Sequence, residues 1–220
     1  MPDSDPPVLT EAFSTSRDGA GTGLVLAQID QAAPRGRPIL WVQDRRAASE
    51  AGLPSIRGIQ SDERPILRVT ANRAIDALWA MEEGLECNAL SAVIGEVWGN
   101  PKALDFTATK RLALRSRRSG VPLWLLRPDG VADLSVAAER WSVAALPSLD
   151  NTLDARAPGL PLWGAELFRS RGARPGRWVA SHDRATHRLD LVAEVRDGAV
   201  GTGAGGDAPA RPRAVGDGRP

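Results

Sequence analysis

The 220-residue chain has one cysteine, Cys87, no tyrosine, two histidines and only two lysines, Lys102 and Lys110. A lone thiol cannot close an internal disulfide, and one cysteine with two histidines is too small a set of soft ligands for a structural zinc site. No metal is expected. No apolar run approaches the roughly 20 residues that span a bilayer. The opening Met1-Pro-Asp-Ser-Asp-Pro-Pro7 is acidic and proline-rich, unlike the basic and then apolar plan of a secretory leader. The expectation is a cytoplasmic chain with no membrane partner. An excess of one charge is also missing, since 28 cationic and 27 acidic residues leave a formal charge of +1. All cations but the two lysines are arginine. Arginine forms planar forks to phosphate and carboxylate, but a GC-rich genome enriches it equally, and both readings stay open.

Apolar residues make up 42% of the chain and charged residues 25%, which is ordinary globular usage and supports one real core. Short apolar segments suited to buried strands occur at 38–43, 66–69, 90–97 and 121–126. Helical periodicity falls between them, at 23–33, at 71–86 with Ile75, Leu78, Trp79 and Leu85 recurring at helical spacing, and at 102–118. Alternating strand and helix predicts a mainly parallel sheet covered on both faces, because parallel neighbours need crossover connections. Segments 141–146, 160–169 and 176–180 then read as strands without helices between them, so the C-terminal strands are expected to be antiparallel. Most of the seven tryptophans are expected in core or edge packing. From Asp197 onward the chain is Gly, Ala, Pro, Arg and Asp with almost no large apolar side chain. Such a segment cannot recover its ordering entropy by burial. The expected organisation is a flexible arm at 1–7, a domain at 8–195 and a disordered tail at 196–220.

A strand, a glycine-rich turn and a helix near the start of an α/β chain are where a phosphate-binding loop belongs, and Asp18-Gly-Ala-Gly-Thr-Gly-Leu-Val25 falls there. Aligned on G-x-x-x-x-G-K-[ST], Gly23 takes the second glycine, Asp18 replaces the first, Leu24 the lysine and Val25 the magnesium-binding hydroxyl. Without the lysine nothing neutralises the terminal phosphates, and Asp18 adds like charge beside them. ATP binding is disfavoured and no cofactor is expected. Gly19, Gly21 and Gly23 then read as glycines that permit a tight strand-to-helix turn. Ala92-Val-Ile-Gly-Glu96 is an apolar strand ending in a carboxylate, as in a Walker B element, although Glu96 equally fits a solvated or paired residue.

Lys102, Lys110, Arg111, Arg115, Arg117, Arg118 and Arg127 stand against Asp105 alone in the segment 102–127, a local charge of +6. Arg111, Arg115 and Arg118 share one face of a continuous helix. That face is a solvated surface, a contact for an acidic partner, or a phosphate contact. Arg169, Arg171, Arg174 and Arg177 read as a wet hairpin turn. His182 and His187 have no nucleophile or carboxylate at a telling spacing, and Cys87 reads as a small packed residue.

Four phrases in fixed order, Ala80-Met-Glu-Glu-Gly84, Leu90-Ser-Ala-Val-Ile-Gly-Glu-Val97, Lys110-Arg-Leu-Ala-Leu114 and Ser119-Gly-Val121, together with the order of elements over residues 15 to 180, resemble the ImuA family. The resemblance implies a RecA-like three-layer α/β domain, a mainly parallel sheet with antiparallel C-terminal strands. It also implies a non-catalytic accessory role in SOS-induced, error-prone translesion synthesis. The implied partners are an ImuB-like Y-family protein and an error-prone polymerase, with RecA or DNA as further partners of the basic patch. A SulA-like inhibitor of the division polymer and a RecA-type ATPase are the alternatives. The chain departs from the RecA pattern at the phosphate loop and at two brief segments, Trp98-Gly-Asn-Pro101 and Arg127-Pro-Asp-Gly130, where RecA places its DNA-contacting loops.

Overall fold

The computed structural model describes residues 9–55, 64–151, 153–154, 156–183 and 188–193. Nine strands form one sheet: β1 (Leu9–Ser14), β2 (Ile39–Asp44), β3 (Ile66–Ala71), β4 (Ala92–Glu96), β5 (Leu123–Pro128), β6 (Glu139–Leu146), β7 (Leu162–Ser170), β8 (Gly176–Asp183) and β9 (Arg188–Ala193). Their spatial order is β3-β2-β4-β5-β1-β6-β7-β8-β9. All neighbours from β3 to β6 are parallel, and β6 to β9 form an antiparallel meander. The helices are α1 (Ala20–Ala32), α2 (Arg45–Glu50), α3 (Ala74–Gly84) and α4 (Phe106–Ser119).

Strands β4 and β5 are buried along their whole length. That is the burial expected of central parallel strands with helices on both faces. Helix α1 covers one face. It sends Val25 and Ile29 onto Trp41, Ile94 and Trp124 of the parallel half, and Ala20, Leu24 and Ala27 onto Trp141, Val143 and Trp163 of the antiparallel half. Helices α3 and α4 cover the other face, where Leu78, Met81, Ala108 and Leu112 meet Val42, Val93, Leu123 and Leu125. The architecture is therefore the expected three-layer α/β domain with a parallel core and antiparallel C-terminal strands.

Differences from the sequence-based expectation lie mostly at element ends. Helix α1 begins at Ala20 rather than Gly23, and α3 begins at Ala74 rather than Ala71. Helix α2 and strand β9 were not expected; α2 is held by Asp44, whose carboxylate accepts from Ala47 N at 2.6 Å. Cys87 is exposed, not packed, because it follows the end of α3 in a turn. Trp41, Trp124, Trp141 and Trp163 are buried as expected, whereas Trp79 is open to solvent. The expected arm at 1–7 and tail at 196–220, together with His187, lie outside the described residues.

Candidate functional site: a phosphate-loop position filled from within

The carboxyl ends of β1, β2, β4 and β5 surround a cleft of about 280 Å³, bordered by Ser14, Thr22, Trp41, Leu53, Glu96 and Leu126. Ligands of open α/β sheets bind at this end of the strands. Strand β1 stops at Ser14 and α1 starts at Ala20, so only Thr15–Gly19 connect them. This geometry moves the phosphate-loop register four residues upstream of the sequence alignment. Ser14 takes the first glycine position, Gly19 the second, Ala20 the lysine and Gly21 the hydroxyl. The chemical residues are absent in either register.

Gly21 and Gly23 are thus helical residues, not turn residues, and their role differs from the one expected. A Cβ on Gly21 would stand 2.7 Å from Ser14 Oγ, and one on Gly23 would stand 2.5 Å from the Trp163 ring. They let α1 lie close against β1 and β7. Gly19 is the N-cap of α1 and has nothing within 4 Å of a Cβ position. Leu24 and Val25 are 1% and 0% exposed. Each anchors a different half of the core.

Exposed N–H groups at a helix start normally attract phosphate. Here two N–H groups of the loop and helix start, those of Ser16 and Ala20, meet carboxylates of the chain itself. Ala20 N donates to Asp18 Oδ1 at 2.8 Å, and the other oxygen of Asp18 accepts from Ala145 N of β6 at 2.6 Å. Ser16 N donates to Asp129 Oδ1 at 3.0 Å, while Asp129 N returns a bond to Ser14 O at 2.9 Å. Asp129 sits at φ 53°, a left-handed conformation that aspartate tolerates better than most residues. Hydrogen bonding from Ser16 holds its carboxyl below the usual aspartate range.

Glu96 closes the cleft from β4. It is buried, and a single oxygen, Oε2, accepts both from Trp41 Nε1 at 3.1 Å and from Gln43 Nε2 at 2.9 Å. Burial pushes its carboxyl above the usual glutamate range against the lowering effect of those two bonds, and nearby Asp44 adds to the rise. Oε2 is thus committed to two donors of β2. No group of three or more His, Cys, Asp or Glu side chains that could hold a metal occurs among the described residues.

The two short segments at this end of the sheet are tied to each other. Asn100 donates to Val131 O at 2.8 Å and to Asp133 at 2.9 Å, and accepts from Val131 N at 2.6 Å. Arg127, counted above in the basic segment, is 1% exposed. It points inward, donating to Gly99 O at 2.9 Å and approaching Glu11 at 3.7 Å.

The arginine face is also partly committed to the fold. Arg111 pairs with Glu82 at 3.0 Å, and Arg115 pairs with Glu82 at 3.3 Å and with Glu86. These bridges clamp α4 to α3. Arg118 instead lines a depression with Glu86, Asn88, Arg115 and Ser119. In the hairpin cluster, Arg169 and Arg171 donate to the backbone carbonyls of Ser135 and Val136, and Arg177 pairs with Glu166 at 3.1 Å. His182, which had no partner by spacing, is buried with Nε2 3.5 Å from Asp30 of α1.

Strand order and the helices covering both faces are those of a RecA-like three-layer α/β domain. No family model matches the chain. It is similar to Protein ImuA of Caulobacter vibrioides in two strains, NA1000 / CB15N and ATCC 19089 / CIP 103742 / CB 15. Each is 28% identical over 176 residues, covering 74% of this chain and 69% of the relative. These matches support assignment of the chain to the ImuA family.

Proposed function

We propose that this chain is a non-catalytic accessory factor of damage-induced, error-prone translesion DNA synthesis, an adaptor between an ImuB-like Y-family protein and an error-prone polymerase. The family resemblance supplies the process. The observation that carries the absence of catalysis is the loop, whose N–H donors at Ser16 and Ala20 are taken by Asp129 and Asp18, with Ala20 and Gly21 standing at the lysine and hydroxyl positions. A phosphate would have to displace two carboxylates and would then meet no lysine. RecA-style DNA contact through mobile loops is equally poorly served, since Asn100 and Arg127 lash the two short segments together.

Two measurements test the reading. Calorimetric titration with Mg·ATP is expected to give no binding tighter than about millimolar. A micromolar constant lost on Glu96→Gln would refute the silent loop. Co-expression with the ImuB-like protein and the polymerase is expected to give one complex. Association with the division polymer instead would replace the adaptor by the SulA-like reading.

A further inference from the structure

We propose that the outer surface of the α3–α4 pair, centred on Trp79, is the docking surface for an acidic protein segment that carries an apolar anchor; this rests on the adaptor reading above. Helix α3 is served in the core by Ala77, Leu78, Met81 and Leu85. Ile75 and Trp79, one helical turn apart, are 55% and 65% exposed, and Leu114 of α4 is 52% exposed. Trp79 precedes Glu82 by three residues, and Leu114 follows Arg111 by three, so each lies within one turn of the Glu82–Arg111 bridge. The bridge therefore brings the apolar residues of both helices onto one surface, with the ion pairs between them. A tryptophan two-thirds open to water leaves most of its apolar surface unused by the monomer, and tryptophan beside arginine is the composition of energetic centres in protein interfaces.

Charge selects the occupant. Helix α4 contributes Lys110, Arg111, Arg115, Arg117 and Arg118, and α3 with its two ends contributes Arg73 against Asp76, Glu82, Glu83 and Glu86. Six cations against four carboxylates leave the surface positive, which favours an acidic partner. Interleaved carboxylates count against nucleic acid, because a continuous phosphate backbone would pass Glu83 and Glu86, both exposed. At the C-terminal end of the pair, a depression of about 490 Å³ is lined by Glu86, Arg115 and Arg118; Arg115 is paired with Glu82 and Glu86, so Arg118 is the guanidinium it offers a carboxylate.

The test is the affinity of the purified full chain for the purified ImuB-like protein, measured for the wild type and for Trp79→Ala, Arg118→Glu and Val192→Ser. Val192, on β9, is exposed and remote from this surface. Trp79→Ala is expected to weaken the complex at least about tenfold with an unchanged melting temperature. Arg118→Glu should weaken it and flatten its salt dependence, and Val192→Ser should leave it intact. If Trp79→Ala destabilises the fold, Leu114→Glu on the neighbouring helix carries the same test. A wild-type complex unaffected by these changes overturns the surface while the adaptor stands. The absence of any wild-type complex overturns the adaptor and the surface together. Loss of single-stranded oligonucleotide affinity in Trp79→Ala, with partner affinity unchanged, identifies nucleic acid as the occupant and overturns the proposal.

Discussion

Glu11, in the middle of β1, is fully buried, and it is the carboxylate on which two buried guanidiniums depend. It accepts from Arg140 Nε at 2.6 Å and from Ser135 Oγ at 3.0 Å, and lies 3.7 Å from Arg127. Burial pushes the Arg127 guanidinium below the usual arginine range, with Glu11 acting in the opposite direction. Glu11→Gln keeps shape and volume but leaves two buried cations without their anion. Breaking a buried ion pair this way costs about 3–5 kcal/mol. At a urea slope of roughly 2 kcal/mol/M, the unfolding midpoint should fall by about 1.5–2.5 M with the slope unchanged. Arg127→Met is the contrasting change, because it removes one poorly solvated cation and leaves Glu11 paired with Arg140. Its cost is the lost donors to Gly99 O, about 1–2 kcal/mol. Combining the two should cost less than their sum, since the second change removes a charge that the first left stranded. Urea denaturation followed by tryptophan fluorescence measures all three. A Glu11→Gln cost under about 1 kcal/mol, or one no larger than that of Arg127→Met, would refute the account of this cluster.

Glu96 should make stability depend on pH with a defined sign. Its carboxyl is raised in the fold, so the stability that its protonated form contributes is complete below the ordinary glutamate value of about 4.3 and is lost as pH rises through the folded value. Glu96→Gln, whose amide oxygen can still accept from Trp41 and Gln43, should match the wild type in acid and become the more stable protein toward neutral pH. A melting-temperature difference that stays flat with pH excludes this. The helix glycines should separate as well. Gly21→Ala meets the movable Oγ of Ser14 but also its Cβ at 3.1 Å, which offsets much of the about 1 kcal/mol of helix propensity gained, whereas Gly23→Ala drives a methyl into the buried Trp163 ring and should lose about 1–2 kcal/mol net. Equal effects of the two in thermal denaturation would show that the Trp163 ring yields.

The parallel core was legible because its strands are continuous apolar runs bounded by turns. Segments 39–44, 92–96 and 123–128 could not be buried on both faces with any other composition. Strand β9 carried too little signal, alternating Leu189 and Leu191 with Arg188 and Asp190 over six residues. The loop register failed for a different reason. Gly23 falls at the second glycine of a phosphate-binding pattern, but what requires it is the indole of Trp163, 140 residues further along the chain. Local spacing contains no information about that contact. The same holds for Arg111 and Arg115, whose i, i+4 spacing placed them on one face correctly while their carboxylates arrive from another helix.

Helix α3 marks where periodicity stops being informative even when it is right. Ile75, Leu78, Trp79 and Leu85 recur at helical spacing, yet only Leu78 and Leu85 reach the core. At about 100° per residue, Ile75 and Trp79 lie roughly 60–120° around the helix from the stripe of Leu78 and Leu85. A stripe that broad fits a core helix in a larger protein, and it equally fits a helix with one apolar edge in the core and another facing a partner. Only the width of the neighbouring layer decides between them. Here α4 lies beside α3 at the level of Glu82 and Glu86, held by Arg111 and Arg115, and so closes the flank of α3 without covering its outer edge. The ion pairs that tie Arg111 and Arg115 to α3 leave both side chains partly exposed, beside an indole that is 65% exposed. On the proposed surface the indole of Trp79 therefore stands at the centre, with the guanidiniums around it.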